Sequence, residues 1–423
     1  MLVDRLARDL YSEICRIPLV DPHSHINPHA AASRSLDDIL GYHYYTELAH
    51  SAGMSQELLD EETPPRERVR AILGHMDRFD NTAQYGWFLE IARGFLGFQG
   101  TRVTADDCDA LFDASERVMG ETGWEETVLR RSNVEKIFLT NDFDDPLEGF
   151  DTLRFVPCLR TDDLVFRLGE SAVLDRLAKA TGVMVSDADS LRAAIRKLFE
   201  HFTSKGAKAC AISLPPTFAP YALSEIGLGV LVESLSSTAD ADIQGRQAGI
   251  FWLLAENCRE FGLAFDLMIG VNRRVYEEGV YQGQDLFDQR ASLIQYRELF
   301  NAFPEVQFCV SVLSSGQNQE LASYSWIFPN VNTSGHWWYS NIPAYVEQDC
   351  RARLQAVPKT KQIGYYSDAY KLEFLLPKYN MYRRLVAQVL ADDFVRGGVY
   401  SETQAIDFAR LLLRENAQRI FGV

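Results

Sequence analysis

The chain has few basic residues for its size. Its 423 residues include 42 Lys and Arg against 59 Asp and Glu, which gives a formal net charge of -17. The Lys and Arg residues also form no cluster along the sequence. Phosphate contacts need clustered Lys and Arg, so the composition argues against a duplex nucleic acid partner. Attraction of an anionic ligand would have to come from a local basic patch, against the negative overall field.

Long apolar runs and paired cysteines are missing too. No run of about 18 apolar residues is present, as a membrane-spanning helix would need. The seven cysteines are an odd number, widely scattered, and contain no Cys-x-x-Cys pair, which is typical of a compartment that keeps thiols reduced. Acidic residues interrupt the amphipathic N-terminal stretch MLVDRLARDLYSEICRI where a signal peptide would be apolar. The sequence predicts a cytoplasmic protein without a membrane or nucleic acid partner.

Short apolar runs recur along the chain and alternate with helical patterns. They contain β-branched and aromatic residues without sustained alternation, which is typical of strands buried on both faces. Eight such strands separated by helices predict an α/β fold, a (β/α)8 TIM barrel. The runs are residues 17–23, 135–142, 153–160, 207–215, 263–270, 306–314, 328–334 and 361–368.

The spacing of the runs is uneven. About 110 residues with helical periodicity separate the first run from the second, which predicts a helical insertion over about 35–130. Loops after barrel strands lie on the catalytic face, so this insertion should cover the active site. A shorter helical interval follows the third run, and closing helices are expected over about 379–423. We predict a single metal-dependent domain spanning 1–423.

Three of the eight histidines fall within VDPHSHINPH, residues 20–29. At the end of the first strand, His23 and His25 would point to the same side, because strand side chains alternate. Asp368 follows the eighth run, and strand eight lies beside strand one in a closed barrel. Two imidazoles and one carboxylate could bind a divalent cation and leave positions open for water or substrate. Two ordinary histidines and a helix-capping Asp368 are the alternatives, and His29 is expected in an exposed loop.

Motifs along almost the whole chain resemble those of the uronate isomerases, and they occur in the same order. That family belongs to the amidohydrolase superfamily of metal-binding TIM barrels and interconverts aldose and ketose forms of glucuronate and galacturonate. The long insertion after strand one is also a trait of that family. The motifs are DPHSHI at 21–26, HYYTELAHSAG at 43–53, NTAQYGWFLEIARGFLG at 81–97, NDFDDPLE at 141–148, VPCLRTD at 156–162, SGHWWYSN at 334–341, SDAYK at 367–371 and ENAQRIFG at 415–422.

The resemblance implies roles for particular residues. His23, His25 and Asp368 would hold one divalent metal ion, expected to be Zn²⁺. Asp368, Tyr44, Tyr370 or a metal-bound water could move the proton, and the sequence does not choose among them. The candidate substrate-binding residues are Arg160, Arg273, Trp337 and Trp338. An Arg guanidinium could grip a substrate carboxylate and a Trp ring could cover a sugar ring. Arg274, beside Arg273, is a further candidate for binding the carboxylate. The alternatives are a structural ion pair for Arg160, exposed loop charges for Arg273 and Arg274, and core packing for the tryptophans.

The sequence also departs from the family's motifs. The His-Ile-Gly expected at strand five is Met268-Ile269-Gly270, and methionine cannot carry a proton. Glu47 and His50 stand where basic residues are expected, Tyr370 stands where an Arg is expected, and SLPP at 213–216 replaces an Asp-His-Gly motif. The barrel is therefore expected to be kept while the contacts to the substrate change.

The sequence as a whole predicts a metal-dependent isomerase that acts on a small-molecule sugar acid or related hydroxy acid. Two alternatives stay open. The same metal set could activate water for hydrolysis of a lactone, ester or amide. Alternatively, the barrel could bind a sugar acid without converting it. Whether the chain forms a homo-oligomer is also left open by the sequence.

Overall fold

The structure of this protein is a computed structural model that describes residues 4–60, 62–280 and 282–423. Twelve short strands are found in this part of the chain. They are β1 (Leu19–Asp21), β2 (Val134–Phe138), β3 (Asn141–Asp142), β4 (Phe155–Val156), β5 (Cys158–Arg160), β6 (Ala209–Leu214), β7 (Ala264–Ile269), β8 (Val271–Asn272), β9 (Leu286–Phe287), β10 (Phe308–Val312), β11 (Val331–Ser334) and β12 (Gln362–Ile363).

Ten of these strands form two parallel sheets whose order follows the chain. One sheet has the order β1-β2-β4 and the other β12-β11-β10-β7-β6-β5-β3. Because β2 and β3 belong to one predicted run, and β4 and β5 to the next, the ten strands are eight barrel positions in sequential order. Beyond the strands, the amide of Asp368 donates to the carbonyl oxygen of His23 (3.1 Å) and that of His25 to Ala369 (2.8 Å), which joins position eight to position one. The predicted α/β fold is confirmed, and the sequential strand order together with this joining agrees with a (β/α)8 barrel.

Helices fill the intervals between the strands. The α-helices are α1 (Arg5–Ile14), α2 (Leu36–Leu40), α3 (His43–Ser51), α4 (Pro65–His75), α5 (Ala83–Phe95), α6 (Cys108–Met119), α7 (Trp124–Ser132), α8 (Asp162–Phe166), α9 (Ser171–Thr181), α10 (Ala188–Ser204), α11 (Glu225–Glu233), α12 (Asp240–Phe261), α13 (Arg297–Ala302), α14 (Ser315–Ile327), α15 (Pro343–Ala356), α16 (Leu375–Val389), α17 (Glu402–Arg410) and α18 (Asn416–Phe421). The π-helical segments are Leu390–Val395 and Leu411–Glu415. The 3-10 helices are Gln56–Leu59, Met76–Arg78, Ala105–Asp107, Leu293–Tyr296, Trp338–Ser340, Lys359–Lys361 and Leu372–Phe374.

Apolar side chains fill the inside of the barrel at the end opposite the histidines. Eight strands leave an interior just wide enough for side chains to fill it. The last helix, α18, closes this end, and its Phe421 packs against Phe138 with ring centroids 4.7 Å apart. The inward residues include Val20, Val156, Cys158, Ala209, Ala211, Ala264, Cys309 and Ile363. This end is packed solid, so the open end is the one that carries the histidines.

Some predicted boundaries were wrong. The eighth run, predicted as a strand over 361–368, is a strand only at Gln362–Ile363. Asp368 has φ +50°, a left-handed conformation that a strand cannot contain, so the segment leaves the hydrogen-bonded ladder before the site. The closing helices begin earlier than 379, at Leu375. The N-terminal helix is confirmed over Arg5–Ile14, whereas Leu2 lies outside the described residues.

The interval between β1 and β2 is helical, as predicted. It contains α2 to α7, and α16 packs against α5 and α7. Assignment of the whole chain to a single domain stays a prediction. Over the residues that the structure describes, no helix combines the length and the apolar character needed to cross a membrane.

Candidate active site

His23 and His25 lie just past β1, at the open end of the barrel. The chain there stays extended, so the two side chains point the same way, and their rings pack edge to face with centroids 5.2 Å apart. His23 is buried and His25 is partly exposed. The stretch that follows turns away, and His29 is exposed with its ring against Phe150.

Asp368 follows the eighth strand position and lies opposite the two histidines, which follow the first. Its Oδ1 lies 3.6 Å from Nε2 of His23 and 3.4 Å from Nε2 of His25. The backbone conformation with φ +50° is one that Asp tolerates better than most residues, and strained backbone of this kind is concentrated at functional sites. Buried Asp21 fixes this segment, because Ser367 donates to it from its amide (2.8 Å) and from Oγ (2.5 Å).

The outer nitrogen of each imidazole has its own partner. Nδ1 of His23 donates to Oδ2 of Asp266 (3.1 Å) on β7. Thr140 Oγ1 donates to the carbonyl oxygen of Ser24 (3.1 Å) and therefore accepts from Nδ1 of His25 (2.8 Å). Both rings consequently carry their proton on Nδ1 and keep the lone pair of Nε2 facing Asp368, the arrangement found around histidines that bind metals.

The three side chains fit a divalent metal ion. Their nearest ligand atoms all lie within 4.8 Å of one another. Ligand atoms about 2.1 Å from a tetrahedral metal lie about 3.4 Å apart, close to the two imidazole–carboxylate distances. Among the described residues, Nε2 of His23 and Oδ1 of Asp368 have no hydrogen-bond partner although both atoms are buried. Such orphaned buried atoms are costly unless a ligand satisfies them.

Burial and neighbouring charges set the protonation of the cluster. Burial would raise the pKa of Asp368, but the close approach of the His25 and His23 imidazoles and the charge of Lys378 outweigh it and hold the pKa well below its usual value. Burial lowers the pKa of His25, which Asp368 only partly offsets. Burial would also lower the pKa of His23, but its hydrogen bond and the charge of Asp266 raise it. Asp368 is therefore a carboxylate, and His25 is neutral.

Helix α3, from the helical insertion, places aromatic residues over the cluster. The Tyr44 hydroxyl donates to Oδ2 of Asp368 (3.1 Å), and the Tyr42 hydroxyl donates to the backbone oxygen of Asp368 (3.0 Å). His43 stands between the two tyrosines in the sequence. Burial lowers its pKa to about 3, so this imidazole is neutral. The helical insertion is predicted from the sequence to cover the site, and its residues Tyr42 and Tyr44 contact Asp368 there.

A cavity of about 190 Å³ opens over the cluster. It is lined by nine candidate residues of the sequence analysis: His23, His25, Tyr44, Arg160, Arg273, Trp337, Trp338, Asp368 and Tyr370. Met268 lines it at the strand-five position. Tyr370 faces His25, with ring centroids 4.9 Å apart.

The two cavity arginines are tied to carboxylates inside the same cavity. Arg160 Nε donates to Oδ2 of Asp162 (3.3 Å), and Arg273 forms an ion pair with Asp285 (2.5 Å). Ser213 connects them, since it accepts from Arg273 (2.8 Å) and donates to Asp162 (2.5 Å). Both arginines are thus held by ion pairs and still line the cavity.

The residues weighed against structural alternatives in the sequence analysis have different surroundings. Arg274 is exposed with φ +53°, which matches the alternative of a loop charge. Trp337 is buried against Met268 and Tyr366, so it packs in the core and lines the cavity at once. Glu47 belongs to a neighbouring cavity, and burial raises its pKa to about 8, helped by the charge of Asp285. The His50 ring stacks on Tyr276, outside the site.

Sequence reasoning missed four residues of this region. Asp266 could have been found as the single charged residue within the apolar run LAFDLMIG. Asp21 directly precedes the histidine motif and His43 directly precedes Tyr44, but neither position carries a signal of its own. Lys378 lies in α16, far from any motif, and only the folded chain brings it under Tyr44.

Comparison with known proteins gives one consistent family. The model of a family described as glucuronate isomerase matches residues 1–421. A uronate isomerase of Rhizorhabdus wittichii is 23% identical over 437 residues, covering 96% of this chain and 92% of the relative. The crystal structure of uronate isomerase from Thermotoga maritima matches with a TM-score of 0.91 at 20% identity, covering 99% of this chain and 98% of that one.

Two further solved structures are similar. Glucuronate isomerase from Caulobacter crescentus matches with a TM-score of 0.90 at 19% identity, over 99% of this chain and 95% of that one. A putative metal-dependent hydrolase from Lactobacillus casei matches with a TM-score of 0.61 at 12% identity, over 98% and 97% of the two chains. At these identities the structural likenesses show the fold alone.

Proposed function

Because the chain belongs to the glucuronate isomerase family, we propose that it interconverts the aldose and ketose forms of glucuronate, galacturonate or a closely related sugar acid. The cluster of His23, His25 and Asp368 supports this proposal more than any other observation, because its free Nε2 and Oδ1 atoms converge at the floor of a cavity of one-sugar size. The reaction moves a proton between neighbouring carbons and needs a group that can take and return it.

We propose that the cluster holds one divalent metal ion, Zn²⁺ in the first instance, since two imidazoles and a carboxylate are typical zinc ligands. When bound, such an ion polarises a carbonyl or hydroxyl and stabilises the charge of an enediolate. Three protein ligands would leave such an ion able to take water or substrate as a further ligand, as in catalytic zinc sites.

The protein's own residues can supply the proton transfer and the substrate contacts. Asp368 Oδ2 and the Tyr44 hydroxyl share one hydrogen bond, so a proton taken by one can be held by the pair and returned. Tyr370, whose ring centroid lies 4.9 Å from that of His25, remains the third candidate. Arg160 and Arg273 present cations for the substrate carboxylate, and Trp337 and Trp338 present flat apolar surface for the sugar ring.

We also propose a cytoplasmic location, since all seven cysteines are free thiols and six are buried. The proposed substrate is a small molecule, and it would enter through the end of the barrel that carries the histidines and the cavity.

The function is tested by following glucuronate and galacturonate by NMR in D₂O with zinc-loaded protein, with and without chelator. The proposal predicts a keto product that forms only without chelator, with deuterium at the carbon beside the new carbonyl because the transferred proton exchanges with solvent. If confirmed metal-loaded protein forms no product, Met268 and the absent basic residues mark another substrate or reaction. Lactones and esters are then the next substrates, because the same ligand set could activate water.

Asp266 offers a separate test of the metal site. Replacing Asp266 by Asn keeps the shape of the side chain but removes the charge that holds the Nδ1 proton of His23. We expect the Kd for Zn²⁺ to rise about 10- to 100-fold, as for other residues that support a metal-binding histidine. Competition with a chromophoric chelator measures this. An unchanged Kd would mean that the His23–Asp266 bond serves the fold and not the metal.

A further inference from the structure

A lysine lies buried beneath the cluster without a direct ion pair. Lys378 of α16 is 0% exposed, and among the described residues its ammonium has no carboxylate oxygen within 4.0 Å. Its hydrogen bond goes to the backbone oxygen of Ser367 (2.7 Å). Burying an ammonium in this way is unfavourable unless other groups compensate, and charged groups under such conditions are often functional.

Three aromatic rings surround the ammonium. Nζ of Lys378 lies 4.8 Å from the ring centroid of Trp87, 5.2 Å from that of Tyr44 and 5.6 Å from that of Tyr42. Cations are attracted to aromatic faces at these distances. The two tyrosines are those whose hydroxyls donate to Asp368. The lysine therefore packs against both tyrosines, and it is not among the described residues that line the cavity.

Two short paths connect Lys378 to buried carboxylates. Through Ser367 it is linked to Asp21, which accepts both donors of that serine. Through Tyr44 it is linked to Asp368. The charges of Asp368 and Asp21 favour the ammonium against the burial that lowers its pKa to about 8. Its Nζ lies 5.2 Å from the ring centroid of Tyr44, the residue whose hydroxyl donates to Asp368.

We propose that Lys378 is a positioning residue whose ammonium is the buried countercharge of the Tyr44–Asp368 pair. It stabilises the negative charge that these two side chains carry, whichever oxygen holds the proton. This inference rests on the proposed isomerase function. It also supplies a positive charge that offsets the carboxylate of Asp368, although Tyr370 stands where the family motif has an Arg. The same positive charge opposes a metal cation held by Asp368, so removing it should tighten metal binding.

The test uses Lys378→Met, which keeps the apolar stem, and Lys378→Arg, which keeps the charge, in the full-length protein. For Lys378→Met we expect kcat to fall about 100-fold with KM little changed, because charge stabilisation in the site acts on the transition state. We expect the Kd for Zn²⁺ to tighten at least about threefold. Lys378→Arg should recover wild-type zinc affinity and part of kcat. If Lys378→Met fails to fold, Lys378→Gln, which can still donate to Ser367, replaces it.

Lys361→Met is the matched control. Lys361 is partly buried, whereas Lys378 is fully buried, and the Lys361 ammonium likewise donates to backbone oxygens, those of Ser325 and Phe328 at the opposite end of the barrel. Its removal should leave kcat and zinc affinity unchanged. If the role of Lys378 were purely structural, Lys378→Met and Lys361→Met would give the same result. Both would lower the stability but leave kcat and zinc affinity unchanged in the folded protein. Weaker zinc binding in Lys378→Met would also overturn the proposal.

A double-variant cycle tests the path through Tyr44. If Lys378 acts through this tyrosine, Lys378→Met should cost little more kcat in a Tyr44→Phe background. If the loss of kcat in the double variant equals the product of the losses in the two single variants, Lys378 does not act through Tyr44. If the wild-type protein converts no uronate, the proposed function fails, while the zinc affinities of the Lys378 variants still decide the role of the charge. If the wild type is active and the Lys378 variants match it, only the inference about Lys378 fails.

Discussion

Replacing Asp368 by asparagine should abolish isomerase turnover, with kcat/KM reduced by at least about 10⁴-fold. The change keeps the side-chain shape, and Asn tolerates the left-handed backbone at this position. It removes the carboxylate that faces both imidazoles and the oxygen that can hold a proton with Tyr44. Zinc content after dialysis and kcat/KM for glucuronate measure the two losses separately.

Asp349→Asn is the control for Asp368→Asn. Asp349 is also buried, and burial raises its pKa, but it lies in α15, away from the cavity. Its replacement should leave turnover and zinc content near the wild-type values. An Asp368→Asn protein that is folded, loaded with zinc and within tenfold of wild-type turnover would remove Asp368 from the chemistry.

Replacing Tyr44 by phenylalanine should lower kcat by about 10²- to 10⁴-fold, the usual contribution of a positioned proton-transfer group. The Phe ring keeps the packing against Trp338 and Trp87 but loses the hydroxyl that donates to Asp368. Zinc affinity should stay close to that of the wild type. Deuterium incorporation from D₂O into the substrate should slow in parallel with kcat.

The neighbouring Tyr45 provides a matched control. It is buried too, but its hydroxyl donates to the backbone oxygen of Gln84 (2.9 Å), away from Asp368. Tyr45→Phe should cost about 0.5–1.5 kcal/mol of unfolding free energy and leave kcat unchanged. If Tyr44→Phe behaves like Tyr45→Phe, Tyr370 becomes the main candidate for the tyrosine that moves the proton.

Local pattern was enough to predict much of the barrel. Buried parallel strands are recognisable because apolar residues are continuous along them, as in AFDLMI of β7, where every residue is buried. Helix starts follow from capping chemistry, as at Ser401, whose side chain accepts from the amide of Gln404. Strand ends were less predictable. The 361–368 run reads as one strand, but its hydrogen-bonded pairing stops at Ile363, and the sequence does not reveal the positive φ of Asp368.

The sequence by itself determined the barrel order, the insertion after strand one, and the identity of the histidine pair and the aspartate that face each other. It could do so because strand periodicity aims His23 and His25 the same way and barrel closure brings strand eight to strand one. Only the tertiary structure decided which groups surround them. Asp266 under His23 and Lys378 under Tyr44 lie more than 200 residues from their partners, and such contacts depend on packing, which no local pattern encodes.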